Sequence, residues 1–217
     1  MVPIRLMMPT DLPIRCFCGA LRGVASGVSS DRGNRVVCYC DDCQSFAHFL
    51  GRADTVLDTH GGTDIFQMSP ARLQITEGAE HLACMRLTPK GLLRWYAACC
   101  QTPIGNTLPT RHVPFVGLIH SCMDHAADDR SRDATLGPVR ARVHGRFAKG
   151  DRTELVAHEW APVSMLMRFA GVLLMARLRG DHKTSPFFNP RTNEPSATPR
   201  ILSDDELHEV ESARDER

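Results

Sequence analysis

The chain lacks a charge bias. Its 26 lysines and arginines nearly balance its 25 aspartates and glutamates, for a formal charge of +1. The global basic field that nucleic-acid binders carry is therefore missing, and nucleic acid is not an expected partner. A membrane-length apolar run is also missing. The nearest approach, Val163 to Leu178, falls short of the roughly 18 uncharged residues a span needs, and it carries Arg168 and Arg177. Residues 1–15 hold prolines at 3, 9 and 13 and no apolar stretch of the kind a secretion signal uses. No internal repeat is visible beyond two C-x-C units. These absences together point to a cytoplasmic protein without a membrane partner.

Against them stands an abundance of cysteine. Nine cysteines in 217 residues, with no secretion signal, imply a reducing compartment in which clustered thiols hold metal rather than form disulfides. An apolar content of 42% and a charged content of 24% are those of a soluble globular protein. The length allows one substantial core, or a core with a smaller appendage.

Five cysteines occur as Cys16-Phe17-Cys18-Gly19 and then Cys38-Tyr39-Cys40-Asp41-Asp42-Cys43. Alternate residues of an extended segment point to one side, so C-x-C presents two thiolates together. C-x-x-C turns back tightly enough for both sulfurs to reach one ion at about 2.3 Å, the zinc–sulfur distance. Cys38, Cys40 and Cys43 thus form a compact tripod with a fourth position left over, which His48 or solvent could fill. The pair Cys16 and Cys18 needs partners from later in the chain, and Cys99 and Cys100 are the obvious candidates. Cys84 and Cys122, alone in apolar runs, read as small buried hydrophobes.

Short apolar runs at residues 64–68, 72–76, 82–87 and 92–96, divided by Gly and Pro, argue for a mainly β domain. Strand-like patterns also cover 14–28 and 35–39, with further strands expected within 113–122 and 139–147 and a charged loop between them at 124–137. Residues 41–50 suit a short helix. The organisation read from the pattern is a flexible lead at 1–13, a zinc-binding β domain at 14–150, a helical extension at 151–180 and a Pro-rich, acidic tail at 181–217. The apolar helix 163–178 is expected to pack on the β domain; a homodimer or partner groove is the alternative, with membrane-surface binding last. Arginines at 140, 142, 146 and 152 read as a solvated strand face.

The cysteine layout resembles the glutathione-dependent formaldehyde-activating enzyme / centromere protein V family. The likeness runs through Cys16-Phe17-Cys18-Gly19, Cys38-Tyr39-Cys40-Asp41-Asp42-Cys43-Gln44, the Gly61-Gly62-Thr63-Asp64 turn, and a late element where Arg94, Tyr96, Cys100, Thr102 and Pro103 fall on the family pattern. It covers residues 14–106. The resemblance implies a Mss4-like β-tent of three small sheets, here with a C-terminal helical extension. It also implies a structural zinc at Cys16, Cys18 and the late cysteines, and a catalytic zinc at Cys38, Cys40 and Cys43. Ala97 stands where the family has a cysteine and Gln101 where it has a glycine. The structural site is therefore four-coordinate through Cys99, completed by another group, or weakened.

The implied activity is that of a carbon–sulfur lyase joining a small thiol such as glutathione to formaldehyde. Zinc with three thiolates is a poor Lewis acid for water but holds an incoming thiol as thiolate. His48 is a candidate proton donor, and Arg52 and Arg94 are candidate partners for the substrate's carboxylates. Two rival readings are a non-catalytic zinc module that binds a macromolecule and a thiol redox or metal-buffering protein.

Overall fold

A computed structural model describes residues 9–125 and 131–216. Among them the fold is mainly β, with two sheets and five helices. The smaller sheet pairs β1 (Thr10–Arg15), β2 (Arg22–Val28) and β5 (Leu73–Glu77) in that order, all antiparallel. The larger has eight strands, in the order β10 (Ala141–Val143), β3 (Asn34–Cys38), β4 (Thr63–Met68), β9 (Val116–Ile119), β8 (Thr102–Thr107), β7 (Leu93–Ala97), β6 (Leu82–Arg86) and β11 (Arg200–Ile201). Only the edge strands β10 and β11 join in parallel.

The resemblance implies three small sheets, and the described residues form two. At the centre of the larger sheet stands β8, although its Pro103 and Gly105 argue against a central strand. Pro103 is accommodated opposite Tyr96, beside a register shift between Trp95 and Tyr96 where the ladder is already interrupted. β8 then reaches β9 through just two residue pairs, Gly105 with Leu118 and Asn106 with Gly117, and so unites the sheet.

Strand alternation divides the apolar residues between two layers. Leu82, Cys84, Trp95, Val116 and Leu118 face the small sheet, meeting Leu12, Ile14 and Leu73. Met85 and Ile119 face the other way, against α1 (Asp41–Phe49) through Phe46, Ala47 and Leu50. Trp95 is fully buried, its ring centroid 4.9 Å from Phe187, and its indole N–H donates to Thr107 Oγ1 at 2.9 Å.

Three segments depart from the sequence pattern. Thr10–Pro13 belong to β1, ahead of the expected boundary at residue 14, because Leu12 is buried in the main core; residues 1–8 of the proposed lead lie outside the described residues. The tail is built into the fold, since Phe187 and Phe188 enter the main core. Its last helix, α5 (Asp204–Asp215), starts with a Ser203–Glu206 capping box and lies on α1 through Leu207 and Val210. By contrast α4 (Val163–Leu178) buries only Ala176, with Val163, Met167 and Leu178 at least two-thirds exposed, so it is not the packed helix its apolar residues suggest. Within 124–137 a short helix, α3 (Arg132–Leu136), forms where the charge pattern suggests loop, and 126–130 lie outside the described residues. A fifth helix, α2 (Ala53–Val56), follows α1. No helix among the described residues is long and apolar enough to cross a membrane.

β3 is locked to β4 by charge. Arg35, 6% exposed at its side chain, meets Asp64 at 2.8 Å and Asp133 at 2.5 Å, and Arg132 reaches Asp64 at 3.0 Å. Burial opposes ionisation of Asp64, but the bonds and charges of Arg35 and Arg132 outweigh it and hold the carboxyl below its ordinary range. The stabilisation is therefore present above the unfolded-state carboxylate value of about 4 and lost as pH falls through the lower folded value. Asp64→Asn leaves Arg35 buried and half-neutralised. Denaturant melts at neutral pH are expected to show a loss of about 3 kcal/mol, and that difference from wild type shrinks as the pH is lowered toward 3.

Candidate metal centres

The first cysteine group sits where β3 turns into α1. Cys38 closes β3, held between Thr63 of β4 and Val143 of β10, and the Tyr39 N–H donates to the Val143 carbonyl at 3.0 Å. Cys40 is the N-cap of α1, and its carbonyl accepts from the N–H groups of Cys43 and Gln44. The Gln44 side chain ties the corner down, donating to the carbonyls of Tyr39 at 2.7 Å and Phe147 at 3.0 Å. The Cys38 and Cys40 sulfurs are 3.3 Å apart, and all three sulfurs lie within 4.8 Å of one another. The positive end of the α1 dipole favours thiolate here. Val36, Ile65, Ala141 and Val143 surround the group, and Ala161, just ahead of α4, and Met165, in its first turn, pack against that cluster.

Arg94 completes this site. It rises from β7 with 1% exposure, its guanidinium 3.2 Å from Asp42, 3.4 Å from Asn106 and over the Phe46 ring at 5.4 Å. Burial opposes its charge, yet Cys43 and Asp42 together hold Arg94 above its ordinary value. In return, hydrogen bonds from Cys38 and Cys40, with Arg94 beside it, hold the Cys43 thiol well below its ordinary value. Its hydrogen bond to Cys40, followed by the neighbouring Cys43, holds Cys38 well above. One thiolate forms readily and the others resist, so three thiolates together require a cation among them.

The second group joins two turns far apart in sequence. Cys16 and Cys18 lie in the turn after β1, which is shaped by Gly19 at φ +78°. Cys99 and Cys100 lie in the four-residue loop between β7 and β8. The sulfurs of Cys99 are 3.7 Å from Cys16, 3.4 Å from Cys18 and 3.8 Å from Cys100, with Cys16 and Cys18 at 3.5 Å. Four sulfurs at about 2.3 Å from a central ion define a tetrahedron with edges of about 3.8 Å. Of the alternatives left open by Ala97, the geometry selects completion through Cys99. The chain makes the sharp turn this needs by placing Gln101 in the left-handed region at φ +56°, with its Nε2 donating to the Ala98 carbonyl at 3.0 Å.

The turns are cross-braced. Phe17 N–H donates to Thr102 Oγ1 at 2.9 Å, Leu21 N–H to Cys16 Sγ at 3.2 Å, and Thr102 Oγ1 lies 3.0 Å from Cys100 Sγ. Burial alone would raise Cys100, but the bonds from Thr102 and Cys18 bring it down to about 6. Thr102, two residues past Cys100, is the supporting residue that the spacing of cysteines does not reveal.

The other candidate residues are placed differently from their expected roles. Arg94 is enclosed by Asp42, Asn106 and Cys43, a counter-charge to thiolate rather than a receiver of substrate carboxylate. Arg52 belongs to the second group, donating to the Cys100 carbonyl at 2.6 Å and covering Phe17 at 5.0 Å. His48 is not brought into the Cys38–Cys40–Cys43 group. It lies in the last turn of α1, and five residues on a helix rotate by about 140°, which sends it to a different face from Cys43. Cys84 and Cys122 are buried apart from both groups, and burial pushes each thiol up to about 12.

Residues 8–197 match a family described as a family of unknown function, DUF6151. The chain belongs to that family. The DUF6151 match spans both cysteine groups, Arg94 and the whole of α4, and stops before α5. No curated protein matches the chain.

Elemental analysis of the purified chain is expected to find two metal ions per molecule, with Cys43→Ser reducing the count to one and Cys84→Ser leaving it at two. Arg94→Gln is expected to weaken metal held by Cys38, Cys40 and Cys43 about 10- to 100-fold in competition with a chromophoric chelator, without changing the affinity of the other group.

Proposed function

We propose that this protein is a zinc-dependent thiol-handling enzyme of the carbon–sulfur lyase class, acting on a small thiol of the glutathione type and a small aldehyde. The observation that carries the reading is the contrast between two cysteine groups in one chain. One has four sulfurs close to tetrahedral spacing, and the other has three, with no fourth ligand atom in the group among the described residues. A four-thiolate site is closed and structural, whereas three protein ligands leave a position for substrate. The donor set fits Zn²⁺, since all seven ligands are thiols, in a corner that favours thiolate. The Mss4-like fold, as the resemblance implies, is part of the same proposal.

When bound at Cys38, Cys40 and Cys43, Zn²⁺ supplies a site at which an incoming thiol is kept as thiolate. In the reaction the thiol sulfur forms a bond to the aldehyde carbon. The carbonyl π pair moves to oxygen, and the proton given up by the thiol ends on the new hydroxyl. The chain's own residues set the conditions for that step. Arg94 offsets the excess negative charge of three thiolates, and it also engages Asp42, whose side chain is 59% exposed. Val143, Ala161 and Met165 supply apolar surroundings that limit water. Holding the two reactants together supplies much of the remaining acceleration.

The exposed apolar face of α4 favours a second reading, in which the zinc domain is a module for macromolecular binding. X-ray absorption at the zinc edge separates the two. The resting average is expected to be about 3.5 sulfurs per zinc, rising to about 4 when glutathione is added. Cys43→Ser is expected to remain folded and lose the glutathione response, whereas Cys16→Ser loses the fold. A spectrum unmoved by glutathione, or a Cys43→Ser chain as unfolded as Cys16→Ser, rejects the enzyme.

A further inference from the structure

On the side of the molecule where α4 passes over the turns after β2 and β4, a cavity of about 730 Å³ opens between them. Four arginines line it: Arg32 from the β2–β3 turn, Arg72 from the β4–β5 turn, and Arg168 and Arg179 from α4 and its C-cap. Among the described residues that line it, only Asp31 and Asp181 oppose them, which leaves two positive charges uncompensated. Among the described residues none of the four has a carboxylate within ion-pair distance, and Arg168 is bonded only to the Ser30 carbonyl at 3.1 Å. Arg72 is half-buried, and burial, then the neighbouring charges of Arg32 and Arg179, depress its pKa. Val172, Met175 and Ala176 of α4 add an apolar wall, with Ser69 opposite on the β4–β5 turn. The chain's own acidic segment cannot neutralise the site, because α5 is docked on α1.

We propose that this cavity is a binding site for a phosphoryl group carried on a partly apolar molecule. Guanidinium forks match phosphate oxygens, and a phosphate monoester near pH 7 carries nearly the two negative charges that the site lacks. The volume falls in the range of about 300–1,000 Å³ typical of small-ligand sites. Two sources share this chemistry, a soluble phosphate ester and the headgroup of a phospholipid. The exposed Leu174 and Leu178 on α4 could meet acyl chains in the second case.

Thermal melts of the full, metal-loaded chain with phenyl phosphate, at ionic strength held constant with sodium chloride, test the first source. Flotation with phosphatidylcholine vesicles, with and without phosphatidic acid, tests the second. Support is a saturable rise in melting temperature of about 3 °C or more, phosphatidic-acid-dependent flotation, or both. Arg72→Gln is expected to abolish the response while melting at or above the wild-type temperature without ligand, because a like-charge repulsion has been removed. The exposed Arg179→Gln provides a second variant with at least a several-fold weaker response. The proposal is overturned by the absence of both responses, by variants that respond as wild type does, or by an Arg72→Gln chain that melts below wild type without ligand, which would make Arg72 a structural residue.

Discussion

A guanidinium with 1% exposure must be met by negative charge, and Arg94 finds it in Asp42 and in the Cys43 sulfur. Removing either side of such a pair costs several kcal/mol, since the remaining charge is left buried and alone. The pairing fixes more than two residues. Arg94 stands on β7, Cys43 and Phe46 on α1, and Asn106 on β8, so one side chain sets the helix against the sheet. The strand that carries Arg94 runs directly into the loop that carries Cys99 and Cys100. A single hairpin therefore supplies the counter-charge of one cysteine group and half the ligands of the other.

The cysteine spacing made the sites legible because C-x-C and C-x-x-C impose their geometry locally. Cys38, Cys40 and Cys43 come together within six consecutive residues at a strand–helix junction, and nothing distant is required. The strands before and after them were legible for the same reason, their apolar runs being short and well bounded. Completion of the second group was only half visible. Whether Cys99 could replace the cysteine missing at position 97 depended on Gln101 adopting a positive φ, a conformation that glutamine rarely takes and that its side-chain bond to Ala98 supports. The roles of Arg52 and Arg94 were illegible for another reason. Both are long side chains whose partners lie about 50 residues away, and spacing carries no information about such contacts.

Where local preference and tertiary context conflict, the fold followed context. Pro103 and Gly105 argue against a strand, yet β8 lies at the centre of the larger sheet because Ile104 is fully buried between its neighbours. The proline-rich segment after residue 180 would stay solvated on composition alone, and instead Phe187 and Phe188 complete the pocket around Trp95. α4 is the reverse case. Its residues are apolar enough for a core, but the core is already filled without it, so the helix meets the tripod's apolar surroundings through Met165 in its first turn.

The narrow junction between β8 and β9 gives the larger sheet a seam. On one side β10, β3, β4 and β9 carry the tripod; on the other β8, β7, β6 and β11 carry the loop of Cys99 and Cys100. The seam's two residue pairs are fewer than the four of β4–β9 and the five of β7–β8, so the shared core around Trp95, Val116 and Leu118 holds the halves together more than the ladder does. The Arg94–Cys43 contact crosses that seam. The Arg94–Asp42 pair and the Arg52 bond to the Cys100 carbonyl cross it as well, so polar side chains tie together what the ladder joins only narrowly.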